Sequence, residues 1–358
     1  MTRGALDARL VVVVGAGGVG KTTLAAALGT VAAGDGARTL VMTFDPSQRL
    51  KDALGVGTAA ADRFVRVPVG AAGGLDVSLL DARATFDRLV ARYAPDERAA
   101  DRIFQNRFYQ RLAGHLAGVL EYMAVERLFE VAAEGAYDRI VLDTPPTRQA
   151  LDFLEAPDRI IGFLDSGALR IALKPWFTRS GGLRGGAVRQ RLAGWLDRLV
   201  GLNLLRDMAE FFQAFEPLYA GFRERARDVQ ALLRDPGTRF LLVTGPGEER
   251  VADTLFFARR LRQGGHHLAA LAVNQVHPPT PAGSGAGGLG LLAWLGERDA
   301  RGVAHLRRLV TDGTPTAELP LLASPPTGLA ALDRLGRLLR DRLAPVPRPR
   351  SRRRGTPV

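Results

Sequence analysis

Eight residues constrain this chain more than any others. Gly15-Ala16-Gly17-Gly18-Val19-Gly20-Lys21-Thr22 fits the pattern G-x-x-x-x-G-K-[ST] and stands between a β-branched run at residues 10–14 and an alanine-rich stretch at 22–31. The run reads as a buried strand and the stretch as a helix, which is the setting this pattern needs. Glycines let successive backbone N–H groups turn toward one centre, and the helix N-terminus adds partial positive charge. A loop of this kind cradles phosphate. Gly15, Gly17, Gly18, Val19 and Gly20 form the cradle, with Thr23 beside it. Lys21 is expected to reach the β- and γ-phosphates, and Thr22 to offer its hydroxyl to Mg²⁺. The loop therefore reads as a site for the phosphates of a nucleotide with Mg²⁺.

The rest of the chain repeats the pattern of short apolar runs between helical stretches. Residues 39–44, 139–142, 240–244 and 269–273 read as strands, and residues from 116 onward keep helical spacing into the run that ends at Asp143. Several strands separated by helices imply an α/β fold, a doubly wound and mostly parallel sheet of the P-loop NTPase kind. A single domain at residues 1–343 is expected, with a helical subdomain inserted at about 78–135 and 158–235. Residues 176–186 and 278–290 are glycine- or proline-rich and read as flexible connections. The stretch 344–358 reads as a disordered basic tail.

Phosphate chemistry also needs a carboxylate near the metal and a group that orients water. Two aspartates close apolar runs, Asp45 in TFDPS and Asp143 in IVLDTPPT. Asp143 is expected on the Mg²⁺ side, through water, and Asp45 is expected to position or deprotonate the attacking water. For each there is a plainer reading, since aspartate at a strand end also caps the following helix.

Composition removes several classes. The 358 residues contain no cysteine, which excludes disulfides, thiolate nucleophiles, iron–sulfur clusters, zinc knuckles and a thiolate trap for metalloids. No zinc or metalloid site is expected. The net charge is +12, yet only Lys21, Lys51 and Lys174 are lysines, so arginine carries the excess. No run approaches the roughly 18 apolar residues of a membrane span. The expected location is the cytoplasm, with peripheral attachment to the inner membrane face as a variant of that reading.

With these residues in hand, the chain resembles the arsenical pump-driving ATPase family, which includes the ATPase of arsenite efflux and the targeting ATPase for tail-anchored membrane proteins. GxGGVGKTT, the TxDP at 43–46 after the second strand, YDRIVLDTPPT and VNQ at 273–275 occur in family order, and the resemblance covers about residues 10–339. It implies a nucleotide-dependent dimer whose switch regions move helical subdomains. It also implies that Asp45 activates water, that Asp143 stands on the magnesium side, and that Asn274 and Pro320 contact the adenine. Both also have a plainer reading as ordinary strand-end loop residues.

Departures from the family pattern carry their own expectations. The family's signature lysine, which reaches across the dimer to the partner's nucleotide, is Ala16 here. Arg148, or Arg49, is a candidate to supply that charge; a lysine-bearing paralogue in a heterodimer is the other. Arg148 also reads as a solvated residue at a helix start.

The apolar stripe Leu204, Met208, Phe211, Phe212, Phe215, Tyr219 and Phe222 reads either as core or as a client surface on one long helix, with Pro217 as a kink. The arginines around 170–191 read as a solvated surface or as a face for an anion or acidic partner. Three function classes follow. The first is an ATPase coupled to a membrane-associated partner or transport process. The second is a slowly hydrolysing nucleotide switch that holds a partner, and the third a positioning ATPase of the MinD/ParA type. A small-molecule kinase is a weaker fourth, for which no acceptor residues stand out. No specific nucleic acid is expected as a partner.

Overall fold

The computed structural model describes residues 4–44, 49–54, 63–69, 73–107, 109–110, 119–165, 207, 210–211, 214–279, 288–310 and 313–344. Asp45, residues 176–186, the arginines of 170–191 and the tail from 345 lie outside them, as do Leu204, Met208 and Phe212. The side chains of Arg49 and Arg148 lie outside them too.

Eight strands make one sheet: β1 (Leu10–Gly15), β2 (Arg38–Thr43), β3 (Val65–Val67), β4 (Gly74–Leu79), β5 (Arg139–Asp143), β6 (Thr238–Thr244), β7 (Leu268–Val276) and β8 (Thr316–Pro320). Their order is β3-β4-β2-β5-β1-β6-β7-β8. Neighbours are parallel except β3, which runs antiparallel to β4. The expected α/β doubly wound sheet is therefore present. Three of its strands, β3, β4 and β8, were not marked by the apolar runs. β3 has only three residues, and β4 carries Asp76 and Ser78, which break an apolar pattern.

Helices cover both faces because the central strands are apolar on both sides. Leu10, Val12 and Val14 of β1 pack into one core, and Val11 and Val13 into the other. The second core is closed by α1 (Lys21–Gly34), α2 (Arg49–Leu54) and α10 (Leu329–Leu343). The first is closed by α5 (Val119–Glu134), α6 (Thr147–Asp165), α7 (Tyr219–Arg234), α8 (Val251–Gln263) and α9 (Gly288–Val310).

A third, aromatic core lies among helices alone. α3 (Ala82–Tyr93) supplies Phe86, Leu89 and Val90, α4 (Glu97–Phe104) supplies Ile103, and α5 supplies Tyr122 and Met123. Phe211, Phe215 and Phe222 of the predicted stripe fill the same core, with Phe215 4.7 Å from Phe222, ring to ring. The described part of the stripe is thus packing. It does not lie on one long helix either: a single 3-10 turn at Glu216–Leu218 precedes α7, because Pro217 cannot donate to the preceding turn. The predicted connection at 278–290 is also shorter than expected, since α9 begins at Gly288. Among the described residues no helix is long and apolar enough to cross a membrane.

Candidate nucleotide site

β1 is flanked by β5 and β6, while the chain leaves β1 for β2 beyond β5. Ligands of open α/β sheets bind outside the carboxyl ends of the strands at such a reversal of order. The loop 15–20 stands there, between β1 and α1. Gly15, Gly18 and Gly20 have φ of 147°, 76° and 91°, values that L side chains rarely adopt. Two of them are also closely packed. A Cβ on Gly15 would overlap the Val243 carbonyl oxygen, and one on Gly20 would overlap the Asn274 side-chain amide.

Lys21 is buried, and its Nζ donates to the Ala16 carbonyl at 2.9 Å, bridging from the first residue of α1 back to the second residue of the loop. The Thr22 hydroxyl donates to Asp143 Oδ2 at 2.7 Å, and the Thr43 hydroxyl donates to the same oxygen at 2.9 Å. Register explains the meeting. Asp143 pairs with Val13 of β1 on one side and with Thr43 of β2 on the other, so the ends of three strands and the start of α1 converge. Asp143 is 1% exposed.

The residues present suit a magnesium nucleotide. A cradle that side chains would fill, a lysine at its edge, and a hydroxyl and carboxylate in contact match phosphate with a hard, oxygen-preferring cation that keeps most of its waters.

The ends of β7 and β8 carry the two residues expected at the base. Asn274 is buried two residues before the end of β7, and its Nδ2 donates to the Val19 carbonyl of the phosphate loop at 2.9 Å. Val276 pairs with Pro320, and the Leu321 N–H donates to the Val276 carbonyl at 2.8 Å. Asn274 and Pro320 thus lie at neighbouring strand ends, and Asn274 touches the loop.

A family model described as an anion-transporting ATPase matches residues 8–341. The chain belongs to this family. The anion-transporting ATPases hydrolyse ATP and use nucleotide with Mg²⁺, and this chain is an ATPase of that kind. An uncharacterised protein of Streptomyces coelicolor is 30% identical over 325 residues, covering 88% of this chain and 76% of that protein. A Mycobacterium tuberculosis protein is 35% identical over 161 residues, 42% of this chain and 38% of its own length. A protein of Aquifex aeolicus named for an arsenical pump-driving ATPase is 23% identical over 275 residues, 75% of this chain and 64% of its own. This chain therefore spans less than two thirds of the last two.

For this ATPase, the structure brings together Gly15, Gly17, Gly18, Val19, Gly20, Lys21, Thr22, Asp143 and Asn274. Thr23 follows in the first turn of α1, and Arg148 falls in the first turn of α6. Sequence reading gave Thr43 no role although it opens the TxDP motif at 43–46, because nothing local shows that its hydroxyl meets a carboxylate on another strand. It also missed Asp299 and His277, described below, whose meeting depends on how α9 packs.

Proposed function

We propose that this ATPase couples ATP hydrolysis to movement of its helical layer, acting as a nucleotide-dependent dimer on a membrane-associated partner or transport process. One observation carries the coupling: α6 begins four residues after Asp143, and its Ala156 is buried in the aromatic core with α3, α4, α5 and α7. A displacement at Asp143 is thereby passed to the helices through a rigid element. Ion pairs hold α6 to its neighbours, Asp158 to Arg234 of α7 at 3.1 Å and Glu155 to Arg260 of α8.

Bound Mg²⁺ would draw charge from the phosphate oxygens and the leaving group. Thr22 and Asp143 would hold it, the latter through water, while the loop N–H groups and Lys21 bind the phosphates. Asp45 is assigned to orient the attacking water. Arg148 is assigned the positive charge that Ala16 leaves out, and Asn274 and Pro320 the base. Lys21 gives up Ala16 when phosphate arrives, because a phosphate oxygen is the stronger acceptor.

The test is steady-state phosphate release together with light scattering in ADP and ATP. Hydrolysis by a dimer that forms with ATP, lost in Lys21→Ala, supports the reading. A chain that stays monomeric and inert alone, but dimerises and hydrolyses with a lysine-bearing paralogue, replaces the homodimer with a heterodimer. A dimer that holds ATP for many minutes favours the switch, and salt-sensitive retention on DNA favours the positioning ATPase.

A further inference from the structure

β7 carries a bulge near its end, between Val273 and Val276, that is unfavourable by itself. Gln275 has φ 64°, and it is the single non-glycine residue with positive φ among those described. A side chain in that region persists only where its surroundings over-determine it. On one side the restraint is the Asn274 amide on the Val19 carbonyl. On the other side it is Asp299 of α9. The backbone N–H of His277 donates to Asp299 Oδ2 at 3.0 Å, and the His277 ring donates through Nδ1–H to the same oxygen at 2.7 Å.

Asp299 is 0% exposed, an expensive place for a carboxylate unless it is fully hydrogen-bonded. Its other oxygen accepts from Arg298 Nε at 3.3 Å and Nη2 at 3.1 Å. Both oxygens are therefore engaged, and none of these bonds serves the phosphate chemistry. They serve the geometry of residues 274–277.

We propose that Asp299 is a positioning residue for nucleotide binding: through His277 it fixes the left-handed bulge at Gln275 and so keeps Asn274 against the phosphate loop at the base side. The proposal rests on the assignment of the base to the ends of β7 and β8, and it predicts that the clamp acts on nucleotide affinity while leaving turnover alone.

The experiment compares Asp299→Asn, His277→Phe and Asn274→Ala in the full chain, each checked for native circular dichroism. It measures affinity for ADP and for inorganic tripolyphosphate, and KM and kcat for ATP. The expected result is a loss of ADP affinity and a rise in KM of about tenfold in all three, with kcat and tripolyphosphate affinity within about twofold of the parent in Asp299→Asn and His277→Phe. If Asn274→Ala weakens ADP while the other two leave ADP and KM unchanged, the clamp is overturned and the base site stands. If Asn274→Ala leaves ADP unchanged, the base site is overturned and the clamp with it. A parallel loss of tripolyphosphate affinity overturns the proposal as well, since it marks general damage to the loop. Should Asp299→Asn fail to fold, His277→Phe decides, because it keeps the backbone bond to Asp299 and removes only the ring's.

Discussion

The hydroxyl of Thr22, at the start of α1, donates a hydrogen bond to the carboxylate of Asp143, at the end of β5, across 2.7 Å. One residue comes from the phosphate loop and the other from the strand that leads into α6, so the contact joins the phosphate cradle to the helical layer.

Thr22→Ala is expected to lower kcat by about 100-fold or more and to raise the Mg²⁺ concentration for half-maximal rate, since it removes the hydroxyl proposed to hold the metal. Thr43→Val keeps the shape and leaves Asp143 one donor short, which costs about 1–3 kcal/mol of stability. Phosphate release titrated with Mg²⁺, and urea unfolding, separate the two.

Gly20→Ala is expected to lose nucleotide binding and to destabilise the fold by about 1–3 kcal/mol, because its φ is 91° and its new Cβ would overlap the Asn274 amide. Adding Asn274→Ala removes the overlap but not the backbone strain. The double variant should recover part of the melting temperature and none of the ATP binding.

Glu126 and Arg225 form a buried ion pair at 2.5 Å between α5 and α7, with the guanidinium 4.1 Å from the centre of the Phe129 ring. Burial pushes the Glu126 carboxyl up to about 7, against the opposing pull of Arg225. Glu126→Gln leaves a buried guanidinium without its counter-charge and should cost about 3–5 kcal/mol in urea unfolding. Glu126→Met with Arg225→Met together should cost much less. For Glu126 itself the folded pKa lies above the unfolded one, so the native state binds the extra proton. Its contribution to stability falls as pH rises from the ordinary carboxylate range to about 7, and the double variant should lack that slope.

His266 packs on Phe240, ring centres 5.1 Å apart, and its Nδ1 meets the Leu233 carbonyl at 3.2 Å. Burial holds its pKa below the ordinary value of 6.5, with Arg234 and His267 acting in the same direction. The unfolded chain therefore takes up a proton that the folded chain refuses. Stability should fall as pH drops below about 6.5, down to the folded pKa. His266→Phe should flatten that part of a plot of melting temperature against pH.

Much of the site is contiguous, which is why it is legible before folding. The phosphate loop needs only residues 15–22 with a strand before and a helix after, and glycine at 15, 18 and 20 already states that the backbone enters a region closed to other residues. Asp143 is legible for a related reason: residues that end parallel strands share one edge of the sheet, so a polar residue closing an apolar run points to that edge.

What the sequence by itself determined, then, is the strand–loop–helix unit, the parallel α/β class and the strand-end carboxylate, all of which follow from local pattern. Tertiary structure alone decided which groups touch. Thr43 and Asp143 are 100 residues apart, Asn274 and Val19 are 255 apart, and His277 and Asp299 are 22 apart. Strand order and register set the first two pairs, and the packing of α9 on β7 sets the third. The same packing decided that Phe211, Phe215 and Phe222 are core. Helical spacing says that a face is apolar, but what covers that face depends on helices distant in sequence.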